Sequence, residues 1–250
     1  MIDCVSVQNM RISDQRTIEK GTPGIELIRR AAYGVYRNVV WNGKVAIVCG
    51  SGNNGADGFA LACILRSKEI DVTAIKISER LHDDCSYFAL EAEKCGVPLL
   101  FYKVGIHMLH EYDIIVDCML GTGFQGELRE IYRCAIEEIN ETSSYVVSVD
   151  INSGMNGDTG EGSAIVYSDL TVAIEFIKYG MILDGSSEYI KRLICVKIGI
   201  ELAEPEKQIC NEKEWFSLCE RLQVSPQNNS VEYAGMYFMR SPKWLDMSAW

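Results

Sequence analysis

The chain has 250 residues, 48% hydrophobic and 24% charged, which suits one sizeable buried core with a small appendage. A formal net charge of -11 argues against a nucleic-acid backbone or an anionic membrane as the main partner. No run of about 18 apolar residues occurs and residues 1–11 lack a signal-type apolar core, so the chain reads as cytoplasmic, its ten scattered cysteines as reduced thiols.

Residues 13–40 carry helical spacing in two pieces divided by Gly21, Thr22, Pro23 and Gly24. Thr22 is expected to cap the second piece, with Pro23 in its first turn. Leu27, Ile28, Ala31, Ala32, Val35 and Val39 then share one face, the pattern of plain core packing. The apolar run 45–49 predicts a strand that breaks into a glycine-rich loop over 50–58, with a helix from Gly58 or Phe59 to about Lys68. A strand over 72–77, a helix over 83–94 and a strand over 97–102 follow. The strand 113–118 leads into a second glycine-rich loop at 121–127 and a helix over 128–139. Strands at 145–149, 170–174 and 193–198 complete the pattern. Strands alternating with helices predict an α/β fold, a Rossmann-like three-layer sandwich with a mostly parallel central sheet. This domain spans 1–203, and 204–250 reads as a tail with one short helix over 211–222.

In such a sheet the loops after the strands line a crevice at the carboxyl ends. The 50–58 loop aims backbone amides and a positive helix end at that crevice, which favours an anion. Gly50-x-Gly52-x-x-Gly55 matches the dinucleotide fingerprint in the strand-to-helix context. No acid ends the next strand to hold a ribose, which disfavours an ordinary nicotinamide dehydrogenase. Asp57 suits a hydroxyl, a cation or a helix-start amide better than a phosphate. Asn54, Asp117 and Ser153 offer oxygen ligands of the kind hard cations take, or are solvated loop residues. Asp150, at a strand terminus, is a candidate acid or base, or a turn cap. Lys178 pairs with Asp150 or a phosphate, or is solvated. His82, His107 and His110 have no acid or thiol at metal-ligand spacing and read as surface residues.

Gly52-Asn53-Asn54-Gly55-Ala56-Asp57-Gly58, Asp117-x-x-x-Gly121-Thr122-Gly123, and Asp150-Ile151-Asn152-Ser153-Gly154 with Asp158-Thr159-Gly160 resemble the ordered motifs of the YjeF amino-terminal domain, the NAD(P)HX epimerases. Met10-Arg11-x-x-Asp14, Lys178 and Ile198-Gly199-Ile200 extend the resemblance over about residues 8–202. It implies epimerisation of the R and S forms of hydrated NADH or NADPH; Asp150 is then the catalytic candidate, for acid-base work or substrate anchoring, with Lys178 second. By motif, Asn53, Asn54, Gly55, Ala56 and Asp57 would contact the substrate, as would Gly121, Thr122, Gly123, Phe124, Gln125, Gly126, Glu127 and Asp150. Asn54, Asp117 and Ser153 would hold a potassium ion. A homodimer is a further expectation, as is a separate ADP- or ATP-dependent dehydratase as partner, because the tail is too short for one. The chain departs from the family pattern at Ala56, whose methyl is expected to obstruct a phosphate, and at Asn152, expected to loosen a loop that proline would pre-set. Arg29, Ala32 and Lys197 depart from it as well. These departures make a non-catalytic nucleotide-binding or scaffold protein the alternative reading.

Overall fold

A computed structural model describes residues 4–183 and 185–204, together with the backbone of 232–233 and 236–239. The elements run β1 (Cys4–Val5), α1 (Val7–Glu19), α2 (Gly24–Asn38), β2 (Val45–Cys49), α3 (Asn53–Ser67), β3 (Val72–Lys76), α4 (Asp83–Lys94), β4 (Leu99–Phe101), β5 (Ile114–Cys118), α5 (Glu130–Glu141) and β6 (Tyr145–Val149). After β7 (Leu170–Ile174) and β8 (Ile177–Lys178), a 3-10 turn (Tyr179–Met181) precedes α6 (Ser186–Tyr189) and β9 (Leu193–Val196), with β10 (Glu232–Tyr233) and β11 (Met236–Met239) beyond. The helix expected over 211–222 lies outside the described residues.

The main sheet has the order β10-β11-β9-β7-β6-β5-β2-β3-β4, and only the β10–β11 pair is antiparallel. Interior strand β2 sits between β3 and β5, with Val45 opposite both Val72 and Ile114. All five of its residues are buried, as expected of a strand covered on both faces. Side chains alternate across the sheet: Val45, Ile47 and Cys49 face a core built with α2, α3 and α4, whereas Ala46 and Val48 face a second core closed by α5 through Tyr132, Ala135, Ile136 and Ile139. These are the three layers anticipated from the sequence.

Three boundaries differ from the sequence reading. Helix α1 starts at Val7, six residues early, because its buried face carries Asn9, Ser13 and Thr17 and so shows no apolar period. That polar face is satisfied by the far end of the domain. Asn9 Nδ2 donates to Glu204 O at 2.8 Å, and Ala203 N donates to Ser13 Oγ at 2.9 Å. Helix α2 takes Pro23, not Thr22, as its cap. Helix α3 begins at Asn53, so most of the expected glycine loop is helix. Close packing explains the glycines: a Cβ on Gly58 would lie 2.8 Å from both Cys118 Cβ and Cys49 Sγ, and one on Gly50 would lie 1.8 Å from Met119 O. Among the described residues no two of the eight cysteines are joined by a disulfide.

Candidate active site

A cavity of about 460 Å³ opens at the carboxyl ends of β2, β5, β6 and β7, roofed by α1 and α2. Helix α3 points its amino-terminal end into it, and Ser51, Gly52, Asn53, Asn54 and Asp57 line that side. The first-turn amides of a helix have no intrahelical partners, so this wall is an anion cradle. The loop after β5 supplies Gly121, Thr122, Gly123 and Phe124, and the end of β6 supplies Asp150. Arg11 of α1 ties the roof to that loop, its Nη2 donating to Gly123 O at 3.2 Å.

Asp150 is held in the left-handed region at φ 68, where a non-glycine residue is strained. Its carboxylate is fixed on both oxygens. Oδ1 accepts from Lys178 Nζ, and Oδ2 accepts from Thr122 N at 3.1 Å. Lys178 is fully buried, donates also to Ile174 O at 3.1 Å, and does not itself line the cavity. It acts on the cavity through Asp150, and the parallel pairing of Val5 with Lys178 between β1 and β8 fixes its backbone.

Two further carboxyl groups face the same space. Burial, then the Asp150 and Asp14 charges, push the Asp57 carboxyl well above its usual range, with the Lys178 ammonium opposing the rise. Asp14 is raised too, by burial and by Asp150. The Asp150 carboxyl, bonded to Lys178, thus stands near a carboxyl group at Asp57 that favours its protonated form.

Beneath the loops, Asp117 and Ser153 bond directly, and Leu120 links Ser153 to Asn54, its N donating to Ser153 Oγ at 2.9 Å. Asp117 is fully buried; desolvation raises its carboxyl, while hydrogen bonds from Ser153, Met119 N and Ser148 oppose that rise. Ser153 N donates to Asp117 Oδ2 at 2.9 Å, and Ser153 Oγ donates to Oδ1. Asn54 Nδ2 donates to Leu120 O at 3.0 Å, whereas Asn54 Oδ1 is buried without a hydrogen-bond partner. An orphaned buried oxygen, linked through Leu120 to a hydroxyl and a carboxylate, offers donors of the kind a hard cation takes.

Several residues expected at the site do not line the cavity. Gly55 and Ala56 lie outside the cavity lining, and Ala56 is fully buried in the α2–α4 core with its methyl pointing to no ligand space. Gln125, Gly126 and Glu127 are exposed and also outside it. Asn152 does not loosen its loop. Its Nδ2 donates to Val166 O, Ser168 Oγ and Tyr189 O at 2.8–3.0 Å, and its Oδ1 accepts from Thr171 at 2.6 Å. Arg29 reaches Tyr87 at 3.3 Å, away from the lining.

Other residues enter that sequence reasoning left out. Leu27, Ile28 and Ala31 form part of the cavity wall as well as the core, and His82 stands on its rim. Asp14 was visible only as a motif position. Ile198 and Ile200 complete an apolar wall, and Glu175 holds them there. Its buried Oε2 accepts from Ile198 N at 2.7 Å, Gly199 N at 2.7 Å and Ile200 N at 3.0 Å. Arg30 Nη1 donates to Ile198 O at 3.1 Å from the other side. No local pattern marks such a residue, because the partners lie more than twenty positions downstream.

A model of the family described as YjeF-related protein N-terminus matches residues 24–180. Relatives include the NAD(P)H-hydrate epimerase of Rhodopirellula baltica, 32% identical over 207 residues that cover 79% of this chain and 85% of that one. The NAD(P)H-hydrate epimerase of Limosilactobacillus fermentum is 30% identical over 76% of this chain and 94% of its own. The bifunctional NAD(P)H-hydrate repair enzyme Nnr of Archaeoglobus fulgidus is 34% identical over 72% of this chain, which spans only 38% of that longer protein. A crystal structure of yeast ynu0, 18% identical, superposes with a TM-score of 0.65 over 93% of this chain and 98% of that one, and shows the same fold. The matched segment holds α2, α3 and both glycine-bearing loops, and the chain belongs to the YjeF-related protein N-terminus family.

Proposed function

We propose that this protein epimerises the R and S forms of hydrated NADH and NADPH, in repair of the nicotinamide cofactor pool. The observation that carries this reading is the meeting of an anion-binding helix end with the Asp150–Lys178 pair in one cavity, in a chain whose relatives bear the name NAD(P)H-hydrate epimerase. The pyrophosphate is assigned to the amides at the start of α3.

Water adds to a dihydronicotinamide at the ring carbon bonded to nitrogen, because the enamine nitrogen stabilises positive charge there. Inverting that carbon requires its hydroxyl to leave as water, assisted by the nitrogen lone pair, and water to return on the opposite face with loss of one proton. Asp57 is assigned as the proton donor to the departing hydroxyl, and the Asp150 carboxylate as the group that faces the cationic ring and accepts the proton on re-addition. Lys178 holds Asp150 aimed at the cavity. Asn54, Asp117 and Ser153 would hold a potassium ion, whose charge would fix the loops around the site. The departures at Ala56, Asn152 and Arg29 no longer favour a non-catalytic scaffold, since none of the three lines the cavity.

We further propose a cytoplasmic setting, a homodimer, and a separate ADP- or ATP-dependent dehydratase that consumes the product. No described helix is long and apolar enough to cross a membrane, and the archaeal relative is named as bifunctional. The test is to add the protein to R-NADHX with a dehydratase specific for the other epimer. Consumption should exceed the spontaneous rate, rise with potassium but not lithium, and fall by about 10²–10⁴ in Asp150→Asn. No acceleration with either ion overturns the reading.

A further inference from the structure

We propose that His107, His110 and Glu141 form a binding site for a divalent transition metal of the zinc class, separate from the cavity. Their ligand atoms lie within 4.8 Å of one another, and among the described residues no other group of three such side chains comes together this way. None of the three lines the cavity. Two imidazoles and a carboxylate match a borderline metal, not a hard cation, and leave a fourth position for water. Tetrahedral ligands on bonds of about 2.1 Å stand about 3.4 Å apart, so these exposed side chains need approach by at most about 1.4 Å.

The frame beneath them is built. Glu138, buried one helical turn before Glu141 on α5, accepts Leu109 N at 2.7 Å and the Tyr102 hydroxyl at 2.7 Å. Leu109 lies between the two histidines and is itself fully buried, so this bond clamps the histidine turn against the helix that carries Glu141. His107 adopts φ 49, a left-handed conformation that bends the chain and sets its ring 5.5 Å from that of His110. The backbone thus orders the ligands before any metal arrives, which lowers the entropic cost of binding. A bound metal would pin the β4–β5 connection to the carboxyl end of α5.

The test uses the full chain without a histidine tag, titrated with Zn²⁺ against a chromophoric chelator and with Co²⁺ by absorption. One equivalent should bind, with a cobalt spectrum free of thiolate charge-transfer bands. His107→Ala and His110→Ala should each lower zinc affinity at least about tenfold, since loss of even an outer partner of a ligand costs roughly 10–100-fold. His82→Ala should leave it unchanged. No binding, binding unaltered in the two histidine variants, or thiolate bands would each overturn the site. These readouts are independent of epimerase activity.

Discussion

Glu175 offers the sharpest test of how the cavity is held open. Its carboxylate accepts three backbone N–H groups from residues 198–200 and stands 3.5 Å from Lys197 Nζ. Hydrogen bonds to a charged group contribute about 1.5–3 kcal/mol each, and truncating one partner strands the others as buried unsatisfied donors. Partial relaxation of the loop into water offsets some of that loss, so Glu175→Ala should cost about 3–5 kcal/mol. At about 2–4 °C per kcal/mol for a chain of this size, the melting temperature should fall by roughly 10 °C. Glu175→Gln keeps an acceptor and the shape but not the charge, and should cost about 1–2 kcal/mol. The assays are denaturant unfolding and hydrogen exchange at the amides of Ile198, Gly199 and Ile200. Exchange there should accelerate in the alanine variant well beyond the global change, and KM should rise more than kcat falls, because Ile198 and Ile200 line the cavity. Wild-type unfolding with wild-type protection at those three amides would refute the argument.

Ala56→Gly should destabilise the fold by about 1–2 kcal/mol, from a lost buried methyl and glycine's poorer helix propensity, with no gain in substrate affinity. Tighter binding in a titration would show that the methyl obstructs the ligand after all. Asp57→Asn should stabilise the protein at neutral pH while lowering kcat. The folded-state pKa of Asp57 is raised, so the stability it contributes is full below the ordinary carboxyl value and is lost as pH rises through the raised value. Melting curves across that range should show the wild type losing stability relative to the asparagine variant, and parallel curves would remove the assignment.

The strands were the most legible part of the chain. The runs at 45–49, 145–149 and 170–174 are apolar but for Ser148 and Thr171, and the structure keeps those bounds. Asp150 was legible because a strand ends just before it. The start of α1 was hidden by Asn9 and Ser13, polar residues buried against a segment nearly two hundred positions away. Asn152 looked like a weakened turn only because its four partners come from 166–189. The glycines near α3 suggested backbone freedom, but they serve close contact with β2 and β5, and composition does not separate the two uses.

The pairing of β1 with β8 sets a condition on when the site can exist. Cys4 and Val5 lie beside Ile177 and Lys178, so the lysine that holds Asp150 is framed by the start of the chain across roughly 170 intervening residues. At about 5–20 residues per second of synthesis, the first strand waits on the order of ten seconds or more for its partner. A nascent chain therefore carries the helix end and both loops well before it can carry an aimed carboxylate, and anion binding should precede catalytic competence during biogenesis.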